Sequence, residues 1–246
     1  MKRLVLDLET KRSFNEVGGA RNTAALGVSV VGVYVYDTDS FEAFREGELG
    51  GLEPLLRGAD EIIGFNLIGF DWPVLAAEMG DWVRDLPTLD LMFEAQKALG
   101  HRVSLDSIAQ ATLGAAKLGS GLDALEYYAQ GDWAKLERYC LEDVKLTRDI
   151  YEYAKANHHL YFQKGSRRAP IPMSFTESPW KPVFTRAARE RGSVRIVYKG
   201  KERVVDVTSF DGLYIKGFDH LRQADRTFRL DSVDKAEPVA SSRPLF

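Results

Sequence analysis

The sequence predicts an α/β chain with a mixed sheet flanked by helices, followed by a small all-β module. Three observations carry this expectation. Strand-like segments open the chain and alternate with helical ones later. Helical periodicity ends with a long amphipathic stretch that stops near Asn157. From Ser193 onward the pattern turns to short strands divided by tight turns. With 246 residues, 45% hydrophobic and 28% charged, there is material for one domain of ordinary size plus a small one. A single cysteine, Cys140, excludes internal disulfides and fits a reducing cytoplasm. No apolar run approaches the ~18 residues of a membrane span, and the segment after Met1-Lys2-Arg3 is too short and too acidic for a signal peptide. The expectation is a cytoplasmic protein without membrane partners.

Lys2 to Thr10 (KRLVLDLET) reads as an apolar strand carrying two acids, Asp7 and Glu9. Alternation places both on one face, with Leu4, Leu6 and Leu8 on the other. Buried carboxylates need compensation, and a metal cation is the natural source; an edge strand with one wet face is the other reading. Gly27 to Tyr36 and Phe41 to Arg45 read as a second and third strand around the turn Asp37-Thr38-Asp39-Ser40. Leu49 to Arg57 has helical spacing, and Glu61 to Gly64 is a short buried strand. Phe65 to Asp71 reads as a loop or helix entry before the helix Trp72 to Met79, whose first turn holds Pro73. Pro87 to Leu91 is a short strand and Leu91 to Leu99 a helix. Ser104 caps a helix from Leu105 to Leu113 that stops at Gly114. Leu122 to Gln130 forms a further helix. Asp132 then caps the long one, Trp133 to about Asn157, with Leu136, Cys140 and Val144 on its apolar stripe.

Two more acids could complete the first pair. Asp71 follows a loop and opens a helix, a position that suits either capping or metal binding. Asp143 lies on the long helix one turn after Tyr139 and on the same face, whereas Glu142 is rotated away. Asp7, Glu9, Asp71 and Asp143 together are hard oxygen donors, suited to Mg²⁺ or Mn²⁺ rather than zinc. Four such charges would raise one another's pKa unless about two divalent cations were present. The chemistry that uses two such ions is in-line displacement at phosphorus. Asp90, Asp106 and Asp123 read as structural or solvated, and Trp72 as either a buried helix residue or a base-stacking one.

Asp-x-Glu on a first strand, Asn-x-x-x-Phe-Asp at a loop-to-helix step (Asn66 to Asp71) and Tyr-x-x-x-Asp on a late helix (Tyr139 to Asp143) resemble, in this order, the DEDD superfamily of 3′–5′ exonucleases. They are most similar to its DEDDy branch, which includes proofreading domains of DNA polymerases. PTLDLM and SLDSIAQATLG followed by Lys117 sit where similar sequences do in that family, and the likeness covers about residues 1–160. It implies an RNase H-like fold, two bound divalent cations (Mg²⁺ or Mn²⁺) and stepwise release of nucleoside monophosphates from the 3′ end of DNA or RNA, a single-stranded end above all. In that reading Asp7, Glu9, Asp71 and Asp143 are metal ligands and Tyr139 orients the attacking water. Thr10, Asn66 and Phe70 contact the substrate, with loop shaping the other role open to Asn66 and Phe70.

Charge divides the chain. Residues 1–163 hold 16 Lys and Arg against 26 Asp and Glu, residues 164–203 hold 11 against 3, and the remainder 6 against 7. The predicted organisation is a nuclease domain over 1–160, a basic linker over 161–192 and a β-module over 193–246. The basic stretch, with Lys164, Arg167 and Arg168, suits a phosphate backbone or is simply solvated. Ile196-Val197-Tyr198, the turn Gly200-Lys201, Leu213-Tyr214-Ile215 and Arg226 to Asp231 resemble a shortened WYL domain, a small SH3-like barrel of bacterial regulators and nucleic-acid proteins. Leu213 stands where that family has its naming tryptophan, and no helix-turn-helix precedes it. Lys199-Gly200-Lys201, Asp211-Gly212 and Gly217-Phe218-Asp219 are the expected turns of the module. Arg226 and Arg229 would grip phosphates or pair with Asp225 and Asp231. The competing function is a nucleic-acid-binding regulator on a nuclease fold, with little or no turnover.

Overall fold

A computed structural model describes residues 2–115, 119, 121–164, 167–173, 175, 178–210, 212 and 214–239, with the Asp231 side chain excepted. Lys117, Asp211 and Leu213 lie outside the described residues. Two compact units divide the chain, Lys2–Phe175 and the stretch after it.

In the first unit, β1 (Arg3–Thr10) is the middle strand of a five-stranded sheet ordered β3-β2-β1-β4-β5. It runs antiparallel to β2 (Val28–Val35), which pairs with β3 (Ser40–Arg45), and parallel to β4 (Glu61–Gly64), which pairs with β5 (Thr88–Asp90). Leu4, Leu6 and Leu8 pack on one side with Leu52 and Leu56 of α1 (Leu49–Gly58) and with Trp72 and Leu75 of α2 (Trp72–Met79). Val5 packs on the other side with Ile108 of α4 (Leu105–Leu113) and with Val144 and Tyr151 of α6 (Trp133–Asn157). Both faces of β1 are therefore covered, and the wet edge strand does not occur. Apolar area on two faces is also why this strand reads as a nearly continuous apolar run.

The remaining helices follow their caps. Asp90 accepts from the Met92 and Phe93 amides to start α3 (Leu91–Leu99), Ser104 accepts from Ser107 to start α4, and Asp132 accepts from Lys135 to start α6. Gly100 and Gly114 close α3 and α4 in the left-handed conformation. The fifth helix, α5 (Gly121–Gln130), buries Ala124 beside Leu136 and Cys140 of α6. Trp72 is a core residue, its indole N–H donating to Thr88 Oγ1 at 2.9 Å, so it offers no stacking surface.

The stretch expected to be a linker is structured in part. β6 (His159–Lys164) and β7 (Arg167–Pro172) form a separate two-stranded antiparallel sheet. Leu160, Phe162 and Ile171 fasten this hairpin to the α4–α6 core, and Thr112 and Tyr161 exchange hydrogen bonds at 3.1 and 2.9 Å. In the second unit α7 (Lys181–Glu190) follows, which the prolines around it disguise; Pro182 sits in its first turn, where a missing N–H is tolerated.

The second unit is a five-stranded antiparallel sheet ordered β11-β10-β9-β8-β12, with Phe184 and Ala187 of α7 packed on its apolar face. Its strands are β8 (Ser193–Tyr198), β9 (Lys201–Phe210), β10 (Tyr214–Asp219), β11 (Ala224–Arg229) and β12 (Val233–Pro238). Two expectations fail here. Gly217-Phe218-Asp219 is not a turn but the end of β10, and the chain turns over His220 to Gln223. Gly217 is needed for close approach, because a Cβ there would lie 2.4 Å from the Asp206 carbonyl at a bulge against β9. The segment RTFRLDSV is two strands rather than one: a 3₁₀ turn over Leu230–Ser232 ends β11 and sends β12 back to pair with β8. No described helix is long and apolar enough to cross a membrane.

Candidate functional site

The acids converge because of where β1 and α6 lie. Register pairs Asp7 with Gly32 of β2, and α6 packs directly over that glycine. A Cβ on Gly32 would meet Cys140 Sγ and Val144 Cγ2 at 2.9 Å, so only glycine lets the helix come this close. Cys140 is sealed into the contact, its thiol donating to the Asp7 carbonyl at 3.5 Å. Burial, and then Asp7, Glu9 and Asp143, push its pKa well up, so it is an inert thiol. One turn along α6, Asp143 reaches the acids of β1. Carboxylate oxygens of Asp7, Glu9 and Asp143 lie within 4.8 Å of one another.

Asp71 and Tyr139 join these three in lining a cleft of about 370 Å³. Asp71 ends a wide π-type turn, Leu67–Asp71, and is buried with Oδ1 lacking any hydrogen-bond partner. Its pKa is raised well above the usual carboxylate range by burial first and then by the charges of Asp7 and Asp90; N–H groups of the backbone offset only part of this. An oxygen so placed is what a cation would compensate. Three clustered carboxylates and one orphaned carboxylate oxygen, with no thiol or imidazole among the described residues of the cleft lining, fit a hard divalent cation.

Another part of the lining is built on Asp90. Its buried carboxylate accepts four amides: Asn66 at 2.8 Å, Ile68 at 3.0 Å, Met92 at 3.1 Å and Phe93 at 3.2 Å. The structural role expected for Asp90 is thus specific, tying the turn before α2 to the start of α3. Asn66 takes the left-handed conformation, φ 73°, tolerated by asparagine, and its carbonyl accepts from Gly69 and Phe70. That is loop shaping. Its side chain does something further: Oδ1 accepts from Arg102 Nη2 at 2.7 Å. Arg102 lines the cleft and is absent from every motif read in the sequence. Its local signal is confined to its place just ahead of the Ser104 cap. Phe70 also lines the cleft and meets Phe14 edge-on at 5.9 Å.

Other expected contacts fall elsewhere. Thr10 is outside the cleft lining and its hydroxyl donates to the Arg12 carbonyl at 3.0 Å. Lys164 and Arg167 face each other at the tip of the β6–β7 hairpin, and Arg168 stacks on Tyr161 at 3.5 Å; none of the three lines the cleft. Arg226 and Arg229 are exposed, but three residues apart on β11 they project to opposite faces, so they cannot grip one backbone as a pair.

An α/β layer with a carboxylate cluster gathered between its central strand and a long helix is the class this fold and site define. A family model of the RNase_H superfamily matches residues 6–155, and the chain belongs to that superfamily. Among solved structures the chain is similar to the family B DNA polymerase from the hyperthermophilic archaeon Pyrobaculum calidifontis, with 21% identity over 63% of this chain and a TM-score of 0.48. It is also similar to the proteasome accessory factor B/C (PafBC) of Arthrobacter aurescens, with 24% identity over 57% of this chain and a TM-score of 0.24. The matches span 24% and 21% of those two chains. A comparison with curated protein sequences gives no match.

Proposed function

We propose that the protein is a metal-dependent 3′–5′ exonuclease that releases nucleoside monophosphates from DNA or RNA ends. The observation that carries this reading is the clustering of Asp7, Glu9 and Asp143 within 4.8 Å beside the orphaned oxygen of Asp71. These four carboxylates would hold divalent cations, Mg²⁺ or Mn²⁺. Bound there, the cations would supply charge stabilisation to the attacking and leaving oxygens of an in-line displacement at phosphorus. Tyr139 shares the cleft with the acids and lies one helical turn from Asp143. A neutral phenol is a poor base, so its contribution is a hydrogen bond that orients the attacking water. In this reading the β-module over 193–246 assists nucleic-acid binding, and exposed Arg226 and Arg229 supply separate phosphate contacts.

The test is digestion of 5′-labelled single-stranded DNA and RNA with Mn²⁺ beside an Asp143→Ala control. A ladder that shortens from the 3′ end and is absent in the control is the expected result. Intact polymer in every lane, with band shifts that fade as salt rises, would replace the exonuclease by a binding protein.

A further inference from the structure

Among the described residues lining the cleft, Arg102 is the one cation, in a lining that also holds four acids. A phosphodiester entering that cleft is an anion approaching carboxylates, so a fixed positive group near its path matters for binding. Arg102 is fixed. One nitrogen of its guanidinium is held by Asn66 Oδ1 at 2.7 Å, and Asn66 is itself anchored through its amide to Asp90. That leaves the other donors of the fork, on an exposed residue. The same Asp90 carboxylate holds the amides of Ile68 and Phe93, and both side chains are exposed, at 51% and 46%. Two large apolar side chains are thus exposed on the segments that Asp90 ties together, one two residues after cleft-lining Asn66 and the other next in sequence to cleft-lining Met92. Lys97 covers one side of the Phe93 ring at 4.9 Å without burying it. Apolar surface left exposed beside a charged cleft suits a ligand with a flat apolar face and an anionic link.

We propose that Arg102 and the Ile68–Phe93 ledge form a subsite for an unpaired nucleotide next to the bond that is cut, the guanidinium taking its phosphate and the ledge its base. The assignment rests on the nuclease reading above. It makes Asp90 the positioning residue of the subsite and single-strandedness the property that is selected. A base stacked inside a duplex cannot offer its face to the ledge.

Fluorescence anisotropy with a 5′-fluorescein oligodeoxynucleotide, single-stranded or as a blunt duplex, tests this with Ca²⁺ present. Arg102→Ala should raise Kd for the single strand about tenfold and make the salt dependence shallower by about one unit of log–log slope. Arg102→Lys should recover only part, because a point charge lacks the fork. Phe93→Ala should weaken the single strand about tenfold and the duplex less than about twofold. In cleavage assays Arg102→Ala should raise KM about tenfold and change kcat less than about threefold. Equal affinity of wild type and Arg102→Ala would overturn the assignment of the guanidinium. Equal loss of single strand and duplex in Phe93→Ala would overturn that of the ledge. If the wild-type chain cuts nothing, the exonuclease reading fails while the binding measurements still decide the subsite. If it cuts and Arg102→Ala behaves like wild type, the subsite alone fails.

Discussion

Asp71 in the first unit and Asp219 in the second are about equally buried, at 2% and 0% exposure, and are surrounded in opposite ways. Asp219 takes Arg203 Nη1 at 2.5 Å and the Leu221 amide at 3.0 Å, so the chain itself neutralises the charge it has buried. Asp71 has other carboxylates for neighbours and one oxygen with no partner. Breaking a buried ion pair is costly because it leaves one charge uncompensated, whereas an acid crowded by acids is already in that condition. The second unit therefore balances its buried acid from within. The first leaves its own without a compensating group among the described residues.

Substitutions at the two acids separate these cases. Asp71→Asn, like Asp143→Ala, should lower phosphodiester cleavage by about 10³-fold or more, a loss of roughly 4 kcal/mol of transition-state stabilisation. Without divalent ions the same Asp71→Asn should stabilise the fold by about 1 kcal/mol in urea titrations, since it removes a charge that is desolvated and repelled. With Mn²⁺ the order should reverse, as only wild type gains from the ion. A variant less stable than wild type in both buffers would break the comparison.

Asp219→Ala should cost about 3 kcal/mol by strandring Arg203, and the pair Arg203→Met with Asp219→Leu should return most of it. A double variant as unstable as the single one would mean that the ion pair shapes the sheet rather than balancing charge. Gly32→Val should cost about 2 kcal/mol and reduce activity together, because its side chain would push α6, and Asp143 with it, off β1. Unchanged activity with a lowered urea midpoint would show that the acids tolerate displacement.

The smallest effect concerns pH. In the second unit Asp206 is held below the usual carboxylate range, first by the Ser193 hydroxyl and then by His220. An acid with a lowered folded pKa stabilises above its unfolded value and loses that contribution as pH falls through the folded one. Asp206 is half-exposed, so less than about 1 kcal/mol should disappear below about pH 4, and Asp206→Asn should flatten the profile there. For Asp71 the sign is opposite: a raised pKa favours the fold at low pH and the advantage is lost as pH rises. A shared sign in the two units would contradict the contrast.

Asp7 and Glu9 stand out in the sequence because acids inside an apolar strand violate local patterning, whereas Asp71, Tyr139 and Asp143 are read from their spacing, as a resemblance to the DEDDy exonucleases. The helices were legible through their caps, at Ser104 and Asp132 above all. Arg102 was not, since a lone arginine before a cap carries no periodicity and its partner Asn66 lies 36 residues away. Nor was the β6–β7 hairpin. Pro170 and Pro172 argue against a strand, yet β7 has a partner on one side only, where a missing N–H breaks no ladder. Gly217 misled for the converse reason, a glycine chosen for close approach rather than for a turn. Arg226 and Arg229 were paired by nearness in sequence, which strand alternation undoes.

Cys140 gives the contact between α6 and β1 a chemical readout. The lone thiol is shut between the helix and the sheet against the carbonyl of a cluster acid, so a thiol reagent reaches it when that seam parts. Its labelling rate is therefore a clock for the opening of the seam that gathers the acids, timed without any substrate at all.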